Sequence, residues 1–160
     1  MKIIKNFLEK KEFTDLKNLM MGPSFDWYYN PYVNTEEDGH FQFTHIFCDD
    51  GQPRPNLKLL SNLITKLKMK EIYRIKANLL TKTNNIIEHG FHVDFLNKNK
   101  KLKTAIFYIN TCNGYTKFKN NKKIYSEENK VCFFPTNTPH SGSSCTDQNI
   151  RIVINCNYIV

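Results

Sequence analysis

The chain has no C-x-x-C pair, and its five cysteines (Cys48, Cys112, Cys132, Cys145, Cys156) are an odd number. Both facts argue against a disulfide framework and against a structural zinc ribbon, and they point to a reducing compartment. No apolar run approaches the roughly 20 residues needed to span a bilayer. The opening MKIIKNFLEKKEF meets charge after two apolar residues and so lacks the apolar core of a signal peptide. A cytoplasmic protein with no membrane segment is therefore expected. Internal repeats and linkers rich in Pro, Gly or Ser are also missing, so residues 1–160 read as a single domain. Acidic side chains are in deficit, 15 against 23 Lys and Arg, for a net charge of +8. Such a surplus can mark a nucleic-acid partner or an acidic substrate. The lysines, however, are scattered beside asparagines, as in NKNKKLK and KFKNNKK, which suits a compositional bias on exposed turns. Nucleic acid is left open as a partner but not favoured.

With 40% hydrophobic and 13% aromatic residues the composition is that of a globular domain. Residues 8–21, LEKKEFTDLKNLMM, carry apolar side chains at near-helical spacing and end at Gly22-Pro23, which predicts an amphipathic helix. A second is expected in PNLKLLSNLITKLKMK, where Leu57, Leu60, Leu63, Ile64 and Leu67 form a stripe. From Glu71 onward the pattern changes to short strands between polar turns: IYRIKANLL, GFHVDF, KTAIFYIN, GYTKF, KIYS, KVCFFP and IRIVINCNYIV. Many short strands at this spacing predict an antiparallel sandwich or double-sheet barrel, with the two helices covering one outer face. The segment 22–56 is expected as a long excursion over the barrel mouth around one strand, FQFTHIF.

Histidines number only five, and His92 stands two residues before Asp94 in EHGFHVDF. Alternation on a strand puts both on one face, with Phe91, Val93 and Phe95 on the other. An imidazole and a carboxylate on an inner face are costly unless something satisfies both. A hydrogen-bonded structural pair would do so, and so would a divalent metal. Two histidines and one carboxylate are the ligand set of non-heme Fe(II) oxygenases. For the third ligand His140 is the best candidate, because it follows the Pro-delimited turn FFPTNTP and opens the next strand-like stretch. Of the remaining histidines, His40, His45 and His89, the last has the wrong parity for the face of His92 unless the strand is bulged there, and His45 could be a core histidine or a lid residue near the metal. In NIRIVINCNYIV the isoleucines Ile150, Ile152 and Ile154 alternate with Arg151, Val153, Asn155 and Asn157. Arg151 then points inward and needs a carboxylate, supplied by an internal acid or by a small diacid that also chelates the metal.

His92-Val93-Asp94, His140 and, eleven residues on, Arg151, with TAIFYIN, GYTKF and KVCFFPTNTPHSG between them, resemble the 2-oxoglutarate/Fe(II) dioxygenase superfamily in its prolyl 4-hydroxylase-like branch. The similarity covers residues 72–158, and DWYYNPYV and FQFTHIF look like the front half of small phage-encoded members. The resemblance implies a mainly β (α+β) fold, a jelly-roll or cupin-like double-stranded β-helix over 71–160, with residues 1–70 as helical support and lid. It implies Fe(II) on His92, Asp94 and His140, and 2-oxoglutarate with its far carboxylate on Arg151 and Tyr108. Thr104, which shares the face of Tyr108, and Asn78 would line the cosubstrate site, and Asn155 and Asn157 the same interior. O2 and, as a reductant, ascorbate follow from the same chemistry. The implied reaction is hydroxylation of a prolyl residue in a peptide or protein, with Trp27, Tyr28, Tyr29 and Tyr32 as lid groups. Alternatives are oxidation of a nucleobase or small metabolite, and a non-catalytic cupin-like binding domain. The chain departs from the branch in three places. The strand before H-x-D has no tyrosine in the usual place, so Asn78 or Tyr73 must serve. The glycine pair is reduced to Gly114-Tyr115, and no second arginine follows Arg151, which lowers a base-repair reading. A phage-encoded member would work in the host cytoplasm.

Overall fold

The computed structural model describes residues 1–95 and 101–160. Eleven strands are described, in chain order β1 (Lys2–Ile4), β2 (Tyr28–Asn30), β3 (Gln42–Asp49), β4 (Gln52–Pro53), β5 (Glu71–Thr81), β6 (Leu102–Tyr108), β7 (Tyr115–Phe118), β8 (Lys123–Tyr125), β9 (Lys130–Pro135), β10 (His140–Gly142) and β11 (Ile150–Ile159). The large sheet runs β1-β9-β6-β11-β5-β3-β2, with β4 on β3, and the small sheet runs β10-β7-β8. Every pairing is antiparallel.

Strand alternation builds two distinct cores. On one face of the large sheet Phe47, Ile75, Ala77, Leu79, Ala105, Phe107, Ile152 and Ile154 pack against the helices. On the other, Ile106, Tyr108 and Val153 meet Phe118 and Ile124 of the small sheet, with Cys132 and Phe134 beside them. The protein is a mainly β double-stranded β-helix whose N-terminal helices lie on the large sheet.

The first helix, α1 (Lys10–Met21), buries Phe13, Leu16 and Met20, three residues on one stripe. It stops at Gly22, where a Cβ would lie 2.7 Å from the Asn18 carbonyl oxygen. The second differs from its expectation. Pro55–Leu60 winds as a 3-10 turn and only Ser61–Leu67 (α2) is α-helical, ended by Lys68 in the left-handed region. Leu60, Leu63 and Leu67 still face the core, so the apolar stripe survives the change of winding.

Two further expectations are corrected. The FQFTHIF strand is not an isolated strand over the mouth. As β3 it pairs with β5 in the large sheet, Phe43 opposite Leu79 and Thr44 opposite Asn78. The GFHVDF stretch is not a continuous strand. It touches its neighbour through isolated bridges, Glu88 to Ser143 and His92 to His140, and the side-chain-free Gly90 lies between them. No helix among the described residues is long and apolar enough to cross a membrane.

Candidate metal centre and active-site cavity

His92 and His140 face each other across a reciprocal backbone pair: each N–H donates to the other's carbonyl at 3.0 Å. This pairing brings the two rings to 4.6 Å between centroids. Asp94 reaches the same point, with His140 Nε2 4.0 Å from its Oδ2. One donor atom from each of His92, Asp94 and His140 lies within 4.8 Å of the other two. The His140 Nδ1 is 3.0 Å from the Thr138 carbonyl, a contact made only by a protonated Nδ1. Its Nε2 then carries the lone pair that a metal requires. The donor set fits a divalent ion of the Fe(II) type with open positions on one side.

Asp94 is held from four directions. Its Oδ1 accepts from Arg74 Nη2 at 2.9 Å and Asn155 Nδ2 at 3.0 Å. Its Oδ2 accepts from Thr104 Oγ1 at 2.7 Å and Asn157 Nδ2 at 3.1 Å. Burial works against the carboxylate, but the His140 ring, the Thr104 hydroxyl, Arg74 and Asn157 outweigh it and hold the Asp94 pKa below its ordinary value. Burial and the neighbouring His140 push His92 the same way, below the usual imidazole range. Both shifts favour the forms in which these side chains could bind a metal, a charged carboxylate and a neutral imidazole.

These residues open onto a cavity of about 330 Å³ lined also by Asn78, His89, Thr116, Arg151, Val153 and Asn155. Arg151 is 3% exposed. Its Nε donates to Ser126 Oγ at 2.8 Å, its Nη2 lies 3.5 Å from Thr116 Oγ1, and its guanidinium sits 5.9 Å from the Tyr108 ring centre. No carboxylate pairs with it among the described residues. Burial lowers its pKa from the ordinary value. Of the two sources weighed for its counter-ion, an internal acid is not found among the described residues.

The other sequence candidates fall into three groups. Asn78 lines the cavity. Tyr108 is fully buried one hydroxyl behind it, its OH donating to Thr116 Oγ1 at 3.0 Å. Thr104 touches Asp94 and Thr136. His45 lies in the core, its ring 4.5 Å from Phe25 and 4.7 Å from Phe47, with Nδ1 2.7 Å from the Asp26 carbonyl, so it is a core histidine. Trp27 packs on Phe25 and donates to the Met20 carbonyl, Tyr28 and Tyr29 are exposed, and Tyr32 lines the cavity. Val93, expected to point away from His92 and Asp94, also lines it, because the chain here is not a regular strand.

Sequence reasoning did not bring several cavity residues to the site, among them His89, Arg74, Lys76 and Thr116. His89 was set aside on strand parity, yet it is buried in the cavity wall, 5.4 Å from the His40 ring, with neither ring nitrogen hydrogen-bonded. Arg74 and Lys76 share the cavity face of β5 with Asn78. The alternation of Arg74, Lys76 and Asn78 with Ile75, Ala77 and Leu79 was the available signal. The turn at 33–40 beside the cavity is fixed by Asp38, whose carboxylate accepts from the backbone of Val33, Asn34, Thr35 and His40. Burial opposes its ionisation, but these four N–H groups bring its pKa down to about 2.

No protein-family model matches the sequence, and no curated protein matches it. Solved structures do match over the whole chain. A prolyl hydroxylase from Trichoplax adhaerens, in complex with a peptide fragment of the hypoxia inducible factor oxygen degradation domain, is 14% identical. It aligns with 99% of this chain and 82% of its own at a TM-score of 0.67. A Pseudomonas putida prolyl-4-hydroxylase is 12% identical over 99% of this chain and 91% of its own, with a TM-score of 0.62. A non-heme α-ketoglutarate-dependent carbocyclase from nogalamycin biosynthesis is 13% identical over 98% and 78%, with a TM-score of 0.68. The chain has the fold of the 2-oxoglutarate/Fe(II) oxygenases, prolyl hydroxylases among them.

Proposed function

We propose that the protein is an Fe(II)- and 2-oxoglutarate-dependent dioxygenase. One observation carries this reading: a two-histidine, one-carboxylate group and a buried arginine without a carboxylate partner open onto the same cavity. His92, Asp94 and His140 would hold Fe(II). Arg151 would hold the far carboxylate of 2-oxoglutarate, with Thr116 at its side and Tyr108 fixing that hydroxyl from behind. Bound Fe(II), with 2-oxoglutarate and O2, supplies oxidation of a C–H bond coupled to decarboxylation to succinate and carbon dioxide. The chain's own residues do the rest. Thr104 and Asn157 orient one oxygen of Asp94, Asn155 and Arg74 the other, and the Thr138 carbonyl sets the His140 tautomer. Ile106, Val153 and Leu80 give the cavity an apolar wall, which would limit water beside a bound substrate.

For the substrate, a prolyl residue of a peptide or protein is favoured by the prolyl hydroxylases that share the fold. Hydroxylation of a small molecule is the second reading, favoured by the carbocyclase with the same fold and by the modest cavity. Ascorbate would act as an accessory reductant.

The test is anaerobic titration of Fe(II) and 2-oxoglutarate into metal-free protein, followed by the visible charge-transfer band of the chelate. Wild type should develop the band, Asp94→Ala should lose it, and Arg151→Met should need far more 2-oxoglutarate. A folded wild type with no band would overturn the reading and favour a cupin-like binding domain. Succinate release with proline-rich peptides, against small-molecule candidates, separates the two substrate readings.

A further inference from the structure

The charges lining the cavity do not balance. Arg74, Lys76 and Arg151 contribute three positive charges, and Asp94 is the one carboxylate in the lining. On the oxygenase reading, Fe(II) is matched by Asp94 and the chelating carboxylate of 2-oxoglutarate, and Arg151 by the far carboxylate. Arg74 shares Asp94 with the metal, through Nη2 at 2.9 Å, and Lys76 has no paired anion among the described residues, so the loaded site keeps an excess of positive charge. Buried or half-buried charge without a counter-ion is costly and is rarely retained without a partner.

Lys76 occupies the middle of β5, opposite Ile46 of β3 on one side and Asn155 of β11 on the other. Both neighbours line the cavity. The lysine makes no hydrogen bond or ion pair among the described residues. Burial first, and then the charge of Arg74, lower its pKa from the ordinary value; the charges of Asp94 and Asp49 act the other way without outweighing them. Arg74 stands two residues before it on the same face. Its Nη2 is spent on Asp94 and its Nε donates to Asn157 Oδ1 at 3.2 Å, while its guanidinium stacks 5.3 Å from the Phe95 ring centre. That packing fixes the guanidinium beside the metal ligands and leaves Nη1 for a ligand.

We propose that Lys76, with Arg74 beside it, forms an anion subsite in this cavity, and that the molecule oxidised here carries a carboxylate or phosphate group held there. The substrate half of this statement rests on the oxygenase reading; the subsite itself does not. A carboxylate or phosphate on the two β5 cations would anchor one end of the substrate on the same cavity wall as Asp94. Anchoring an end away from the reacting carbon is a recurring use of such charges, because it fixes orientation without touching the reacting bond.

The experiment uses the full chain loaded with Mn(II) and 2-oxoglutarate without O2, so that no turnover occurs. Inorganic phosphate and acetate are the probes, titrated by calorimetry at constant ionic strength in wild type, Lys76→Gln and Lys76→Arg. Phosphate or acetate should bind the loaded wild type saturably, and the stronger of the two identifies the anion class. Lys76→Gln should weaken that binding by about ten- to a hundredfold, the span for hydrogen bonds to charged groups, and Lys76→Arg should largely restore it. Affinity for 2-oxoglutarate, measured in the same preparations, should be unchanged in both variants. No saturable binding of either probe, or equal binding after Lys76→Gln, overturns the subsite. If 2-oxoglutarate itself fails to bind, the oxygenase reading falls, and the same probes on the unloaded protein still decide the subsite.

Discussion

Replacing Arg151 with methionine should make the ligand-free protein more stable while removing its response to 2-oxoglutarate. Arg151 is 3% exposed and faces no carboxylate among the described residues, so its desolvation, several kcal/mol for a buried ion, is offset by local contacts. The Ser126 bond at 2.8 Å is worth about 1.5–3 kcal/mol as a charge-assisted hydrogen bond. The Tyr108 ring at 5.9 Å is at the limit of a useful cation–π contact and adds about 1 kcal/mol or less. Methionine keeps most of the apolar stem that passes close to Gly114. The balance favours the variant by about 1 kcal/mol, or about 3 °C in melting temperature for a chain of this size. Adding Mn(II) with 2-oxoglutarate at about a hundred times its Kd should stabilise wild type by about 2.7 kcal/mol and reverse the order of the two proteins. Denaturant melts with and without the ligand pair measure both effects. If the ligand-free variant is less stable than wild type by more than about 1 kcal/mol, Arg151 is a structural residue satisfied by its own fold. If the variant keeps the ligand-induced stabilisation, the far carboxylate binds elsewhere.

Gly114→Ala should damage the same site from behind, because the added Cβ would lie 2.5 Å from Arg151 Cδ and 2.7 Å from the Ser144 carbonyl oxygen. Overpacking against backbone costs about 1–3 kcal/mol, so both melting temperature and 2-oxoglutarate affinity should fall; a variant as stable as wild type would show that β7 and β11 can part freely. His89 gives a pH test. Burial first, and then the charge of His40, hold its pKa down to about 4 against 6.5 for a free imidazole. A depressed histidine leaves the fold at full stability above 6.5, with loss as pH falls through the interval to about 4, since there the unfolded chain binds the proton and the folded one does not. The stability lost between pH 7 and 4.5 should be smaller in His89→Gln than in wild type, and equal losses would refute the assignment.

Much of the site was legible because strand alternation is a strict rule. Placing Arg151, Val153, Asn155 and Asn157 on one face of β11 needed only their spacing, and the structure puts all four on the side of the small sheet or the cavity. The first helix was equally legible from Phe13, Leu16 and Met20. What was not legible is which strands are neighbours. The contact of β3 with β5 joins residues some thirty positions apart along the chain, for example Thr44 to Asn78, and no local pattern encodes that register. His89 was lost for a related reason. Parity assumes a regular strand, and the chain from Glu88 to Asp94 is tied only at single bridges, so its side chains do not alternate. Arg74 and Lys76 were visible as residues but not as a site, because alternation says that two cations share a face and not that the face meets Asp94.

The surroundings of Asp94 connect these parts. Its two oxygens already accept two hydrogen bonds each, which uses the four lone-pair directions a carboxylate offers. An ion that takes one of those directions must displace a donor. Thr104 and Asn157 are fully buried and hydrogen-bonded to each other, so neither can move without opening a gap in the core. Arg74 is the one charged donor and its side chain is 25% exposed, and Asn155 is the other donor to Asp94 that lines the cavity. A cation entering at Asp94 also repels Arg74. On the proposed reading, an ion at Asp94 would share Oδ1 with Arg74 and Asn155 and would leave more of the Arg74 charge, with that of Lys76, facing the cavity. On that reading the metal site and the anion subsite are coupled through one side chain: Asp94 would divide its charge between Arg74 and the metal, and an acidic group of the substrate would supply what Arg74 loses.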